Sequence, residues 1–276
     1  MKINLLGTRG SHPISNQESV YYGGSTPCIQ VSSGQHQIIL DAGTGIVNLR
    51  SSRSEKKEHH ILLTHLHMDH IQGLGFFEPL FDSESEVHIW GPVSSQDSLF
   101  DRLQRFLSPP LFPLSLRDVP CDLHVHELAD EKFTLQGFTI FTRFISHPGP
   151  TIGFRIQNGE KSMAYIPDHE PMIGSLDIYA DANWLSGYDL CNNCDLLIHD
   201  AQYSTEKYLK RVGWGHSSIK HAAELAKACG AKHLVLFHHD PSHTDEMLNS
   251  LFEKFIDGND YTFPIELARE GMEIDL

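Results

Sequence analysis

A chain of 276 residues is long enough to build a sizeable hydrophobic core. A formal net charge of −15 argues against gripping a long polyanion such as nucleic acid, because the only basic stretches, 53–57 and 207–211, are broken by Glu55 or short. No run approaches the roughly 18 apolar residues of a membrane span, which argues against a membrane protein. Five scattered cysteines argue against a disulfide framework. The opening MKINLLGTRG lacks the apolar core and cleavage site of a signal peptide. Both point to a cytoplasmic protein.

In chain order, the pattern predicts a strand at 2–6, a polar loop at 11–25, and a hairpin pair at 28–31 and 37–40. The second of that pair runs into Asp41-Ala-Gly-Thr-Gly, a carboxylate at a strand end followed by a turn. Residues 51–60 read as polar and exposed, 61–63 as a buried strand and 87–90 as another. A helix is expected over 94–107, capped by Asp97, with Leu99, Phe100, Leu103, Phe106 and Leu107 on one face. The Pro-rich segment 108–120 then breaks regular structure. Together 94–120 read as an insertion that walls a pocket, builds a dimer contact or is a surface excursion. A meander of strands follows at 123–128, 133–135 and 138–145, then a hairpin across Asn158-Gly159. Residues 171–194 read as irregular and 196–198 as a short buried strand. A helix runs from a cap at Ser217 or Ser218 to Cys229, stopped by Gly230. A strand at 234–237, a helix at 244–255 and two short strands around Gly271 close a single domain spanning 1–276.

Residues 61–73 read ILLTHLHMDHIQG, placing His65, His67, Asp69 and His70 just after a buried strand. Imidazole and carboxylate are the ligands that borderline divalent metals take at neutral pH. The same device recurs: an apolar strand ends and a His or Asp follows at once, at His147, Asp168, His199-Asp200 and His238. Aligned strands present their ends along one edge, so these side chains can converge on one rigidly held site.

On these residues the chain resembles the metallo-β-lactamase superfamily, and within it the branch of RNase Z and cyclic-phosphate phosphodiesterases. The resemblance implies an α+β fold, an αββα four-layer sandwich with two mixed β-sheets. It implies two divalent metal ions, zinc first, with manganese and iron compatible with the same ligands. His65, His67 and His147 would bind one ion, Asp69, His70 and His238 the other, and Asp168 both. His238 is preferred to His239 because it follows its strand directly. His199-Asp200-Ala-Gln-Tyr and Gly215-His216-Ser-Ser resemble two further motifs of RNase Z-like enzymes. They imply that Asp200 orients His216, which assists the leaving group; Asp200 stands where that branch has Glu. Asp69, Asp200 and His216 are the candidate catalytic residues.

One departure narrows the substrate. RNase Z enzymes usually carry a long RNA-gripping arm between the positions of His147 and Asp168, and here these lie only 21 positions apart. The expectation is therefore a metal-dependent hydrolase, a phosphodiesterase acting on a small anionic phosphodiester such as a cyclic nucleotide by hydroxide attack on phosphorus. A homodimer is implied by the family. The alternatives are tRNA 3′-end processing and hydrolysis of a lactone or thioester on the same metal core. Cys191-Asn-Asn-Cys194 has metal-knuckle spacing without a second pair. His169 and His239 adjoin proposed ligands and suit supporting hydrogen bonds. Phe76, Phe77 and Phe81 are read as core packing, with a base-stacking wall as the alternative.

Overall fold

The computed structural model describes residues 1–49, 58–175, 178 and 184–276. The basic stretch at 53–57, and all of the expected polar segment 51–60 but its last three residues, lie outside the described residues. Those last three open a strand.

The first part of the chain supplies β1 (Lys2–Gly7), β2 (Cys28–Ser33), β3 (His36–Leu40), β4 (Glu58–Leu62), β5 (Glu86–Pro92) and β6 (Asp122–Leu128). The second supplies β7 (Lys132–Leu135), β8 (Phe138–Phe144), β9 (Ile152–Asn158), β10 (Lys161–Ile166), β11 (Leu196–Asp200), β12 (Leu234–Phe237) and β13 (Ile265–Leu267). The last strand, β14 (Glu273–Asp275), returns to pair with β1. Among the described residues these form two seven-stranded mixed sheets, ordered β14-β1-β2-β3-β4-β5-β6 and β13-β12-β11-β10-β9-β8-β7. The two closing strands around Gly271 thus belong to different sheets.

Alternation sets which face each strand buries. Ile3 and Leu5 of β1, Ile29 and Val31 of β2 and Leu62 of β4 meet Phe154, Tyr165, Ile198 and Phe237 of the second sheet in an inner core. The opposite faces are covered by helices. Helix α1 (Met68–Ile71) and α2 (Leu99–Phe106) place Ile71, Leu99 and Leu103 over Ile61, Leu63, Val87 and Ile89. On the other side, α3 (Tyr188–Cys191), α4 (Thr205–Leu209), α5 (Ile219–Cys229) and α6 (Asp245–Asp257) follow in order, and α5 lays Ala222, Ala223 and Ala226 over Leu197, Leu234 and Leu236. The layers run helix, sheet, sheet, helix, the αββα sandwich expected. Strands β11 and β12 are buried at every position, and their apolar residues 196–198 and 234–237 suit the parallel part of a sheet covered on both faces.

Helix α2 begins later than its apolar spacing suggested, and its cap is Ser98, whose Oγ accepts from Asp101 N at 3.1 Å. Asp97 is drawn aside to Arg105. The segment after α2 is less irregular than expected, with a short 3₁₀ turn at Leu116–Asp118. Leu107 and Leu116 bury into the outer core. The stretch 171–194, expected to be irregular, contains α3.

The strands parallel to one another in each sheet all end at one edge. Asp41 follows β3, His65 follows β4, His147 follows β8, Asp168 follows β10, Asp200 ends β11 and His238 follows β12. A buried side chain such as Leu or Phe contributes about 1.5–3 kcal/mol, so this edge is held by a stiff scaffold.

Candidate metal centre

The loop after β4 turns directly into α1, and that one turn presents Asp69 and His70 on the side facing His65 and His67. His65, His67, His147 and Asp168 offer donor atoms within 4.8 Å of one another, and Asp69, His70 and His238 form a second such group. Asp168 joins the two. Its Oδ2 lies 3.7 Å from both His65 Nε2 and His147 Nε2. Its Oδ1 lies 3.0 Å from His70 Nε2 and 3.3 Å from His238 Nε2. His238 Nε2 is also 3.1 Å from Asp69 Oδ2, whereas His239 turns away to hydrogen-bond the carbonyl of Ala268 at 2.8 Å.

The donor set fits a pair of cations. His65 Nε2, His70 Nε2 and Asp168 Oδ1 are buried without a hydrogen-bond partner among the described residues, although each faces other donors. Leaving such atoms unsatisfied costs about 1–3 kcal/mol each unless something binds them. The rings are also oriented from behind. His70 Nδ1 donates to Asp41 Oδ2 at 2.8 Å and His147 Nδ1 to the Gly215 carbonyl at 2.7 Å, which leaves each Nε2 lone pair facing the cluster. Thr64 Oγ1 donates to Asp41 at 3.0 Å and so accepts from His65 Nδ1 at 3.1 Å. Burial raises the Asp168 carboxyl, but His238, His70 and His65 outweigh it and hold the group well below the usual carboxylate range. Asp69 is lowered in the same way, with His70 and His238 overcoming burial.

Two close approaches require glycine. His238 has a left-handed φ of 60°, and a Cβ on Gly10 would meet its ring at 2.5 Å. Gly215 has a φ of 83°, and its Cβ would lie 2.4 Å from His147 Nδ1.

Beside the cluster, His216 Nδ1 sits 2.7 Å from Asp200 Oδ2, so the shorter Asp still reaches. Burial lowers the His216 pKa, yet the Asp200 carboxylate prevails and pushes it up to about 9, with Asp168 and Asp69 adding to the rise. Asp200 also accepts from the backbone N–H groups of His169 and Gln202, at 3.2 and 2.9 Å.

Several supporting residues carried no role in the sequence reading. Asp41 accepts from Thr64 N at 2.7 Å, from Tyr165 OH at 2.9 Å and from His70. Ser11 N donates to Asp69 Oδ2 at 2.7 Å. Buried Glu170 accepts from the N–H groups of Gly213 and Gly215, both at 3.0 Å, fixing the loop that carries His216. The Asp-x-Gly stretch after β3 and a carboxylate two residues beyond Asp168 were the visible signals. Of the other expectations, His169 Nδ1 meets His199 Nε2 at 2.9 Å. Phe77 is buried as core packing requires, whereas Phe76 and Phe81 are exposed, Phe81 resting on the Phe112 ring, so the core reading holds for Phe77 alone. Cys191 and Cys194 are buried thiols near Cys229, pushed up by burial, Cys194 to about 12. Among the described residues they join no group of three or more metal donors.

Residues 36–239 match the family model of the beta-lactamase superfamily domain. The chain belongs to that superfamily. Its relatives include the ribonuclease Z of Thermococcus onnurineus, 25% identical over 280 residues that cover 86% of this chain and 84% of the relative. Among solved structures it is similar to the metallo-beta-lactamase fold protein YhfI of Bacillus subtilis, with a TM-score of 0.72, 19% identity and 99% of each chain covered. It is also similar to the short form of human tRNase Z, with a TM-score of 0.68, 21% identity and coverage of 100% and 99%. A diphosphatase of the PhnP family superposes with a TM-score of 0.69, 18% identity and coverage of 100% and 97%. Membership of the superfamily, with its His and Asp donor groups, makes this chain a metal-dependent hydrolase in the RNase Z-like branch.

Proposed function

We propose that this superfamily member is a binuclear phosphodiesterase acting on a small phosphodiester such as a cyclic nucleotide. The observation that carries the reading is the division of Asp168 between the two donor groups, one oxygen to each, with the Asp200–His216 pair alongside. In this reading His65, His67 and His147 would hold one ion, Asp69, His70 and His238 the other, and Asp168 would offer an oxygen to each. The ions, zinc first, supply Lewis acidity toward phosphoryl oxygens and an acidified water when bound. Asp69, fixed by Ser11 N–H, orients the attacking water. His216, held by Asp200, donates its proton to the leaving oxygen and stabilises the charge that develops on phosphorus.

Three features support a small substrate. The connection from His147 to Asp168 is used up by β9, β10 and a tight turn at 159–160, which leaves no room for an RNA-gripping arm. The chain carries 36 acidic against 21 basic residues, which disfavours a long polyanion. Arg211 lies 5.2 Å from the Tyr203 ring and 5.3 Å from the exposed Trp214 ring, beside His216, where a base and a phosphate find partners. A second reading, cleavage of a precursor tRNA, is favoured by the ribonuclease Z relatives. A cytoplasmic setting suits five buried, unpaired cysteines, and among the described residues no helix is long and apolar enough to cross a membrane. A homodimer belongs to the same reading and is checked by light scattering.

The test is hydrolysis of bis(4-nitrophenyl) phosphate by the zinc-loaded protein. Wild type turns it over, and Asp168→Ala loses turnover and about one equivalent of metal with its circular dichroism unchanged. Full turnover in that variant overturns the reading.

A further inference from the structure

At the edge of the first sheet opposite the catalytic cluster, three adjacent parallel strands open on one repeated pattern. Glu58, Glu86 and Asp122 are the first residues of β4, β5 and β6, and His60, His88 and His124 stand two positions on. The register pairs Glu58 with Glu86 and Glu86 with Asp122, and likewise His60 with His88 and His88 with His124. Residues two apart share a face. The result is a row of carboxylates beside a row of imidazoles stacked at 4.6 and 4.7 Å.

The members of this grid are not equivalent. His60 is buried and satisfied, accepting from Trp90 Nε1 at 3.4 Å through Nδ1 and meeting Glu58 at 2.9 Å through Nε2. The other side is open. His88 Nε2 lies 3.0 Å from Glu86 Oε1, and His124 Nε2 lies 3.6 Å from the same oxygen. Asp122 Oδ1 is 3.3 Å from His124 Nε2. Tetrahedral donors on bonds of about 2.0–2.1 Å sit about 3.3–3.4 Å apart, so these separations bracket what one ion requires. His88 Nδ1 has its own partner in His126 Nε2 at 2.9 Å, the hydrogen bond from behind that fixes a ligating ring. Among the described residues no lysine or arginine pairs with Glu86 or Asp122.

We propose that Glu86, His88 and His124 form a second transition-metal site, separate from the catalytic centre, that takes a borderline divalent ion such as zinc or copper, with Asp122 beside His124. Two imidazoles and one carboxylate, with water free to complete the shell at this open edge, are a donor set for such ions. The ion ties the edge strand β6 to β5 at their starts, where the carboxylate row otherwise repels itself. The site does not depend on what the catalytic centre hydrolyses.

Zinc-loaded protein is dialysed against micromolar free zinc and its metal counted, for wild type and for the double variant Glu86→Gln/His124→Asn. Wild type is expected to hold about one equivalent more than the variant, with equal hydrolysis of bis(4-nitrophenyl) phosphate. Equal metal content in the two proteins overturns the proposal. A second measurement adds one equivalent of copper, which displaces zinc from an exposed nitrogen and oxygen site, to each zinc-loaded protein and records its electron paramagnetic resonance. Nitrogen hyperfine structure from two imidazoles in wild type, lost in His124→Asn, supports the site; the same spectrum in both overturns it.

Discussion

Asp41 makes no contact with the substrate side of the cluster, yet it holds His70 and, through Thr64, His65. Asp41→Asn is expected to weaken metal binding about 10–100-fold while the fold persists, as read by competition with a chelator. An unchanged affinity would remove the orienting role assigned to Asp41. His216→Ala is expected to leave metal content intact and to lower kcat on a small phosphodiester about 10²–10⁴-fold. If a lactone or thioester proves the better substrate, and its turnover survives that substitution, the phosphorus chemistry is wrong. The donors themselves were legible because each ends an apolar strand or crowds the loop after β4. Their supports were less so. Tyr165 reaches Asp41 across 124 positions, and Glu170 reaches Gly213 across 43, pairings that only the tertiary fold creates.

Helix α5 stands directly after the His216 loop, so its start positions the candidate acid. Ser218 caps it, accepting from His221 N at 3.2 Å, and His221 Nδ1 accepts from Ser218 N at 3.3 Å. His221 Nε2 donates to the Ser175 carbonyl at 2.6 Å, so the capping box requires the neutral ring. Burial holds the His221 pKa below its ordinary 6.5. The unfolded chain therefore takes up the proton first, and the stability due to the neutral ring is full above that value and is lost as pH falls below it. His221→Gln keeps a residue suited to the third helical position but does not titrate. The stability advantage of wild type over this variant is expected to shrink between about pH 7.5 and about pH 5.5 in chemical denaturation. Metal release at low pH is common to both and cancels. A constant difference would show that His221 is not titrating in the fold. A cap at Ser217 or Ser218 and the stop at Gly230 were readable from residue type, and the bond from His221 N chooses Ser218. The start of α2 was not, because Ser98 and Asp97 are both good caps and only the pull of Arg105 on Asp97 decides between them.

For the whole molecule, the sandwich followed from strand-length apolar runs and from the resemblance, while the pairing of β14 with β1 rather than with β13 did not. Two three-residue strands carry too little pattern to choose a sheet. The donor cluster draws on strands of both sheets, so ions bound there would act as a staple across the inner core. Stripping them with a chelator is expected to cost about 4 kcal/mol at metal concentrations about 1,000 times Kd, a fall in Tm on the order of 10 °C by calorimetry. A Tm that ignores the chelator would mean the cluster holds no metal that matters to the fold. The net charge of −15 also bears on substrate, since an RNA-binding surface would make turnover fall steeply with salt. The most direct measurement is turnover of a cyclic nucleotide and of a precursor tRNA by one zinc-loaded sample under the same conditions. The account predicts that the cyclic diester is opened and the precursor left intact; cleavage of the precursor with the cyclic diester untouched would contradict it.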